Sequence, residues 1–78
     1  MKVSMIIQGK QFTISDQDIR KVAFGALPEK IRAYYVDLGG KRFSPKQLIR
    51  LVTKTTDSFN SSNARSILTR LGFTVKAL

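Results

Sequence analysis

Residues 44–73 read SPKQLIRLVTKTTDSFNSSNARSILTRLGF and predict two capped helices with a polar break between them. The hydroxyl of Ser44 can cap the first helix, Pro45 suits its first helical position, and Gln47 completes a capping box. We expect its buried side to consist of Leu48, Ile49, Leu51 and Val52. The polar run 55–58 should then end the helix, because such side chains compete for backbone hydrogen bonds.

The second helix is expected to begin after a cap at Asn60, with Ser61 as the alternative cap. Just before it, Phe59 is expected to fill the core. Four apolar residues recur at helical spacing and predict one buried stripe, which comprises Ala64, Ile67, Leu68 and Leu71. Gly72 should end the helix in a left-handed conformation, which lets Phe73 fold back onto the last turn.

The outward side of this second helix, residues 61–71, carries hydrogen-bond donors and cations with no acid among them. Ser61 and Asn63 lie in its first turns, and the opposite face collects Ser62, Arg65, Ser66, Thr69 and Arg70. The major groove of DNA admits one helix, and Arg, Asn and Ser or Thr side chains pair with base edges there. We therefore predict a helix-turn-helix whose second helix binds double-stranded DNA. The alternative is an ordinary amphipathic helix with a solvated polar face, and the break is longer than the turn of the simple motif.

Four residues around the first helix of the pair are further candidates for DNA contact. Lys46 and Gln47 lie at its amino end, which in a helix-turn-helix crosses the DNA backbone. Lys41 and Arg42 belong to a glycine-flexible tip, GGKR, directly before that helix. The tip is either a wing that reaches a phosphate or a solubilising turn.

The chain has 78 residues, enough for one small domain whose core is just large enough to fold unaided. Its 14 Lys and Arg residues against 5 acids give a net charge of +9, so a polyanion is the expected partner. Residues 41–78 carry +7 of this charge and residues 1–40 carry +2. We therefore expect the positive charge on the helical pair.

Histidine and cysteine are both absent from the sequence. Thiolate metal sites, disulfides and histidine-based catalysis are thereby excluded, so we expect no enzyme activity, no metal and no cofactor. No apolar run approaches the ~20 residues of a membrane span, and no apolar block marks a signal peptide. We expect a cytoplasmic, nucleoid-located monomer or weak homodimer that binds neither a membrane nor a small-molecule substrate.

The N-terminal segment predicts a β-hairpin. In residues 2–7, Val3, Met5 and Ile7 alternate with Ser4 and Ile6. Gly9 and Lys10 suit a type II′ turn, and residues 11–14 form the returning strand. An isolated hairpin is marginal in water, so we expect the following helix to cover its apolar face.

That helix should begin at a second capping box, formed by Ser15 and Asp18. Its apolar residues at helical spacing are Ile19, Val22, Ala23, Ala26 and Leu27. We expect it to end near Leu27, because Pro28 disfavours a helical conformation in the residue before it. Arg20 and Lys21 lie off the stripe, as solvated charges or as phosphate contacts.

Residues 33–38 and 41–43 predict a second hairpin around Gly39 and Gly40. Of the adjacent rings of Tyr34 and Tyr35, one should enter the core and the other face the surface. The outer ring is able to stack on a nucleobase, although the sequence lacks an RNA-binding aromatic signature.

Residues 74–76 predict a final strand, expected to join the N-terminal sheet. The resulting order β-β-α-β-β-α-α-β predicts a single α+β domain of winged-helix-like type. In it, the hairpins and helix of residues 1–43 support a helix-turn-helix at 44–73, and a terminal strand occupies 74–78.

Two segments of the chain read YYVDLGGKRFSPKQLIRLVT (34–53) and FNSSNARSILTRLGF (59–73). They resemble a family of small actinobacterial helix-turn-helix nucleoid-associated proteins that bind GATC sites, and related nuclease-associated DNA-binding modules. The positions that carry the likeness are Tyr34, Tyr35, Val36, Asp37, Gly39, Gly40, Arg42, Phe43, Pro45, Lys46, Gln47, Ala64, Arg65, Leu68, Arg70, Leu71, Gly72 and Phe73. The resemblance covers about half of the chain. It implies DNA binding through the second helix of the pair, with modest sequence specificity along the chromosome.

We thus expect a non-enzymatic double-stranded DNA-binding protein, either nucleoid-associated or a small transcription regulator. Two alternatives remain open. One is an RNA-binding or ribosome-binding protein, because charge alone does not distinguish the two nucleic acids. The other is a protein-interaction module of a phage or restriction system.

Overall fold

The computed structural model describes residues 1–7, 9–54 and 61–78, and the elements follow the expected order β-β-α-β-β-α-α-β. The elements are β1 (Lys2–Ile7), β2 (Lys10–Ser15), α1 (Asp16–Phe24), β3 (Tyr34–Leu38), β4 (Lys41–Phe43), α2 (Pro45–Thr53), α3 (Ser61–Arg70) and β5 (Lys76–Ala77). The predicted α+β fold class is therefore confirmed. Asn60, Phe59 and the run 55–58, to which the sequence assigned a cap, a core position and a helix stop, lie outside the described residues.

β1 and β2 form an antiparallel hairpin, as expected. Ile7 pairs with Lys10, so Lys10 lies in the second strand and not in the turn where the sequence pattern had put it. Gly9 supplies the positive φ of +79° that a tight connection needs. The buried side of the hairpin carries Val3, Ile7 and Ile14.

The second sheet has the strand order β4-β3-β5 and is antiparallel throughout. Gly39 and Gly40 both have positive φ, as a two-residue hairpin turn requires. The expectation that the last strand joins the N-terminal sheet is wrong, since β5 pairs with β3 through Tyr34 and Ala77. The N–H of Leu78 also donates to the carbonyl of Ala33 at 2.8 Å, which extends this edge.

α1 begins as predicted and ends early. Ser15 and Asp18 form both halves of the capping box. The helix stops at Phe24 because Gly25, a poor helix former, follows it. Leu27 is consequently 83% exposed, which corrects its assignment to the core.

α2 is capped by Ser44, whose hydroxyl accepts the N–H of Gln47 at 3.2 Å. The reciprocal half of the predicted capping box is missing, because the Gln47 side chain bonds elsewhere. Leu48 and Ile49 are fully buried, whereas the other two predicted core positions, Leu51 and Val52, are half-buried.

α3 buries the predicted stripe of Ala64, Ile67, Leu68 and Leu71. Gly72 has a φ of +94°, and the N–H of Phe73 donates to the carbonyl of Leu68 at 3.0 Å, so the predicted left-handed helix end is confirmed. Phe73 folds back and is buried. α2 packs against both α1 and α3 and thereby joins the helices into one core.

Neither tyrosine of the Tyr34-Tyr35 pair enters the core, contrary to the sequence prediction. Val36 takes that position with only 2% of its surface exposed. Because side chains alternate along a strand, Tyr34 lies on the same side of β3 as Val36, and Tyr35 lies on the other. The two rings therefore border two different surfaces.

Candidate nucleic-acid interface

The outer face of α3 consists of Ser62, Asn63, Arg65, Ser66, Thr69 and Arg70. All are exposed except Arg65, which is half-buried. Ser61 is the first residue of the helix. The hydroxyl of Thr69 donates to the carbonyl of Arg65 at 2.9 Å, which leaves its lone pairs directed outward as acceptors. The face thus presents donors, acceptors and positive charge without a carboxylate.

A cleft of about 490 Å³ lies beside α3, between the segment that precedes β3 and the start of α2. We call it the basic cleft. It is lined by Glu29, Lys30, Arg32, Ala33, Tyr34, Ser44, Pro45, Lys46, Arg50 and Arg65. Five of these residues are cations and one is an acid, and Arg65 belongs both to the cleft and to the outer face of α3.

Glu29, the single acid among the described residues of the cleft, is already neutralised. Glu29 forms an ion pair with Arg50. Within residues 1–7, 9–54 and 61–78, Lys30, Arg32 and Lys46 take part in no ion pair. The field in the cleft is therefore positive and available to an external anion.

Arg65 connects the cleft to the helix face. Its guanidinium lies 4.0 Å from the centroid of the Tyr34 ring, within the range of a cation–π contact. This contact orients a long side chain that would otherwise lose considerable rotamer entropy on binding a ligand.

Gln47 is not a surface residue, which corrects its place among the expected DNA contacts. Its side chain is 5% exposed, and its amide nitrogen donates to the carbonyl of Leu27 at 2.8 Å. Its amide oxygen accepts the N–H of Glu29 at 2.9 Å. The amide has the right donor and acceptor to replace water for two backbone groups, so Gln47 ties the segment after α1 to α2.

The hairpin tip lies apart from the basic cleft. The Lys41 ammonium donates to the carbonyl of Ala26 at 3.3 Å. Arg42 lies 3.7 Å from Asp37 and 4.6 Å from the centroid of Tyr35, on the other side of β3. Of the predicted DNA-contacting residues, the structure brings Lys46 and the outer face of α3 together and leaves these two elsewhere.

Sequence reasoning missed three cations of the cleft, namely Lys30, Arg32 and Arg50. Two of them come from the N-terminal half, which the charge count had treated as nearly neutral. A signal was present, because the segment after Pro28 reads EKIRA and places two cations in a short irregular connection. Loops of this kind carry binding residues more often than the elements they join.

Among the described residues, no group of three or more His, Cys, Asp or Glu side chains is arranged to hold a metal ion. In the same part of the chain, no helix combines the length and apolar character that crossing a bilayer requires. Comparison with protein-family models, with curated proteins and with solved structures gave no match for this chain.

Proposed function

We propose that this protein is a non-enzymatic double-stranded DNA-binding protein that places the outer face of α3 in the major groove. One observation carries the proposal: the outer face of α3 and the basic cleft share Arg65 and form a continuous surface, and the one acid among its described residues, Glu29, is paired. Lys30, Arg32 and Lys46, which are in no ion pair with a described residue, lie beside a donor-rich helix, and this combination suits a ligand that offers phosphates and base edges together.

The two parts of the surface have different tasks in this proposal. Asn63 and Arg65, near the amino end of α3, face base edges, where Asn pairs with adenine and Arg with guanine. Lys46 at the start of α2, together with Lys30 and Arg32, neutralises backbone phosphates and fixes the orientation on the duplex. α2 and α3 then act as a helix-turn-helix, with α2 across the backbone.

Such a protein would work in the cytoplasm on the nucleoid, as a nucleoid-associated protein or a small regulator. A domain of this size offers few base contacts, and each good bidentate contact contributes about 1–3 kcal/mol of discrimination. We therefore expect modest sequence preference over substantial non-specific affinity.

The test is a fluorescence-anisotropy titration of the protein with a labelled blunt DNA duplex over a range of salt concentrations. If about four to six phosphates are contacted, log K should fall against log salt with a slope of roughly −4 to −5. Unlabelled duplex RNA is added in competition, because stronger competition by RNA than by DNA would favour the RNA-binding alternative.

Two double variants are compared. The α3 pair is Arg65→Glu with Arg70→Glu, and the control, the hairpin pair, is Lys2→Glu with Lys10→Glu on the N-terminal hairpin. Both pairs change the net charge equally, and Lys2 and Lys10 are exposed outside the cleft. We expect the α3 pair to abolish measurable binding and the hairpin pair to weaken it only slightly, with circular dichroism confirming both folds. Equal losses would mean that binding follows net charge and not this surface.

One observation favours a second candidate, a protein-interaction module. Phe24 is 89% exposed and lines a groove together with Arg20, Leu38 and Lys41. Leu27, three residues further along the chain, is 83% exposed. Large exposed apolar side chains with charged neighbours are typical of contact sites for other proteins. Phe24→Ser tests whether this groove is separate from the DNA surface. If it is, duplex binding should persist in Phe24→Ser and be lost in the double variant Arg65→Glu with Arg70→Glu.

A further inference from the structure

The ring of Tyr34 in the basic cleft contacts Arg65 and still leaves exposed surface that duplex binding does not use. Tyr34 lines the cleft and keeps 36% of its surface exposed. A paired duplex presents phosphates and sugars to a recess of this kind, because its bases stay stacked inside the helix. A ring on the wall of the cleft finds no stacking partner among those groups.

The other side chains of the cleft suggest what the ring is for. Cations that follow a backbone, combined with aromatic rings on which bases stack, are the pattern by which proteins hold single-stranded nucleic acid. Lys30, Arg32 and Lys46 supply the cations, and none of them is in an ion pair within the described ranges. The guanidinium of Arg65 adds a second planar group, 4.0 Å from the Tyr34 ring centroid.

The dimensions of the cleft agree with a ligand of nucleotide size. Its volume of about 490 Å³ lies within the range of roughly 300–1,000 Å³ that is usual for small-ligand sites. It is a recess between the start of α2 and the segment that leads into β3, whereas the outer face of a helix such as α3 is convex. The two surfaces are therefore suited to different parts of a nucleic acid.

We propose that the basic cleft binds one unpaired nucleotide, with its base stacked on Tyr34 or on the Arg65 guanidinium and its phosphate among the cleft cations. A strand end, a bulged base and a free nucleotide share this chemistry. The inference builds on the proposed DNA binding, because Arg65 joins the two surfaces. It predicts that the protein prefers a duplex next to an unpaired base over a fully paired one.

The strand β3 offers a matched control for Tyr34. Its neighbour Tyr35 is half-buried on the opposite side of the strand and also lies beneath an arginine, Arg42, at 4.6 Å. On that side, however, Asp37 pairs with both Arg42 and Lys76. Tyr35 thus has the same chemistry outside the cleft, where both neighbouring cations pair with an acid.

The experiment measures the affinity for a blunt duplex and for the same duplex with a short single-stranded tail. The wild-type chain should bind the tailed duplex about fivefold or more tightly, the lower end of the effect of one stacked base. Tyr34→Ala should bring this ratio close to one, Tyr34→Phe should retain it, and Tyr35→Ala should retain it. A fluorescent base analogue in the tail should be quenched by the wild-type chain and not by Tyr34→Ala.

If Tyr34→Ala does not fold, the pair Lys30→Gln with Arg32→Gln tests the same site, because it should also reduce the ratio. Competition by thymidine monophosphate against the tailed duplex alone would support the site and point to a free nucleotide as its source. A ratio of one in the wild-type chain, or an equal loss in Tyr35→Ala, overturns the inference while the proposed duplex binding stands. Binding of the tail without binding of the blunt duplex supports the inference and overturns the proposed function.

Discussion

The helices α1 and α2 begin with the same serine cap and have opposite electrostatic surroundings. At the start of α1, Asp16 and Asp18 place two carboxylates in the first turn, where they compensate the positive end of the helix dipole. The first turn of α2 has no acid and carries Lys46, and its Ser44 cap lies in the wall of the basic cleft. The chain thus neutralises the start of α1 with its own acids and leaves the first turn of α2 without one.

The difference between α1 and α2 is clearest at the third residue of each helix. In α1 it is Asp18, whose carboxylate accepts the N–H of Ser15 at 2.9 Å. In α2 it is Gln47, whose amide reaches Leu27 and Glu29 in the segment after α1. Asp18 completes a local cap, and Gln47 holds together the two sides of the basic cleft.

The largest effect is therefore expected from Gln47→Ala. It would leave the carbonyl of Leu27 and the N–H of Glu29 without their buried partner, at a cost of about 2–4 kcal/mol in the free energy of unfolding. Asp18→Ala should cost much less, because its carboxylate is exposed to water. Urea unfolding followed by circular dichroism measures both.

Equal losses in the two variants would mean that the Gln47 amide is no more than a surface cap. Gln47→Glu sharpens the result, because it keeps the acceptor for the N–H of Glu29 and removes the donor to Leu27. We expect its loss of stability to match or exceed that of Gln47→Ala, since it also buries a negative charge beside Glu29.

Gln47 also marks the limit of what the sequence could predict. The local pattern of serine followed three residues later by glutamine predicts a capping box, and the backbone half of that box is present. The partners of the amide lie about 20 residues away, and no local pattern encodes a contact between an irregular segment and a helix. Local rules correctly predicted the elements whose partners are nearby, such as the Ser15 cap and the left-handed Gly72.

The basic cleft was unpredictable for the same reason. The outer face of α3 follows from helical spacing within one segment, so its exposed residues could be identified in advance. The cleft joins Lys30, Lys46 and Arg65, which come from three separate segments and meet only through tertiary packing. The position of β5 beside β3 likewise depends on long-range pairing.

The second prediction compares two arginines that lie over aromatic rings. Arg65 lies over Tyr34 in the cleft, and Arg20 of α1 lies 5.1 Å from the ring centroid of Phe73. Arg65→Ala should cost about 1–3 kcal/mol of binding free energy on a duplex obtained by binding-site selection, and much less on a scrambled duplex. Arg20→Ala should change neither affinity appreciably.

Both variants are titrated against the two duplexes at one fixed salt concentration. If Arg65→Ala lowers both affinities by the same factor, Arg65 binds phosphate and α3 does not read bases. If Arg20→Ala has an effect as large as Arg65→Ala, the DNA-binding surface extends to α1 and the contrast between the two helix starts is not functional.

The third prediction concerns variants in which an acid replaces the second residue of α1 or of α2. Lys46→Glu should raise the free energy of unfolding by about 0.3–1 kcal/mol, because a carboxylate is favourable at the start of α2. The same change should weaken duplex binding and reduce the magnitude of the salt slope by at least about one, since a phosphate contact is lost. Stability and binding should thus move in opposite directions.

The matched control is Gln17→Glu, which adds an acid at the corresponding exposed position of α1. It should leave the salt slope unchanged. Thermal melts and salt titrations of both variants provide the comparison. A Lys46→Glu variant that is destabilised and binds normally would contradict the assignment of the α2 start as an anion site.

The smallest expected effect is a change in the free energy of unfolding at acidic pH. The hydrogen bond from the backbone N–H of Ser15 lowers the pKa of Asp18 below its ordinary value of 3.8, and the bond with the Ser15 side chain acts in the same direction. Since the folded state then binds the proton more weakly than the unfolded state, the ionised carboxylate stabilises the fold above pH 3.8, and this stabilisation is lost as the pH falls through the lowered pKa. The difference in unfolding free energy between the wild-type chain and Asp18→Asn should therefore be constant near neutral pH and shrink below pH 3.8.

Gln47→Ala provides the contrast, because no titrating group takes part in the amide contacts of α2. Its loss of unfolding free energy should therefore stay the same over the whole pH range. Urea unfolding at a series of pH values decides between them: a difference for Asp18→Asn that does not change with pH would mean that the carboxylate charge contributes nothing to the α1 cap.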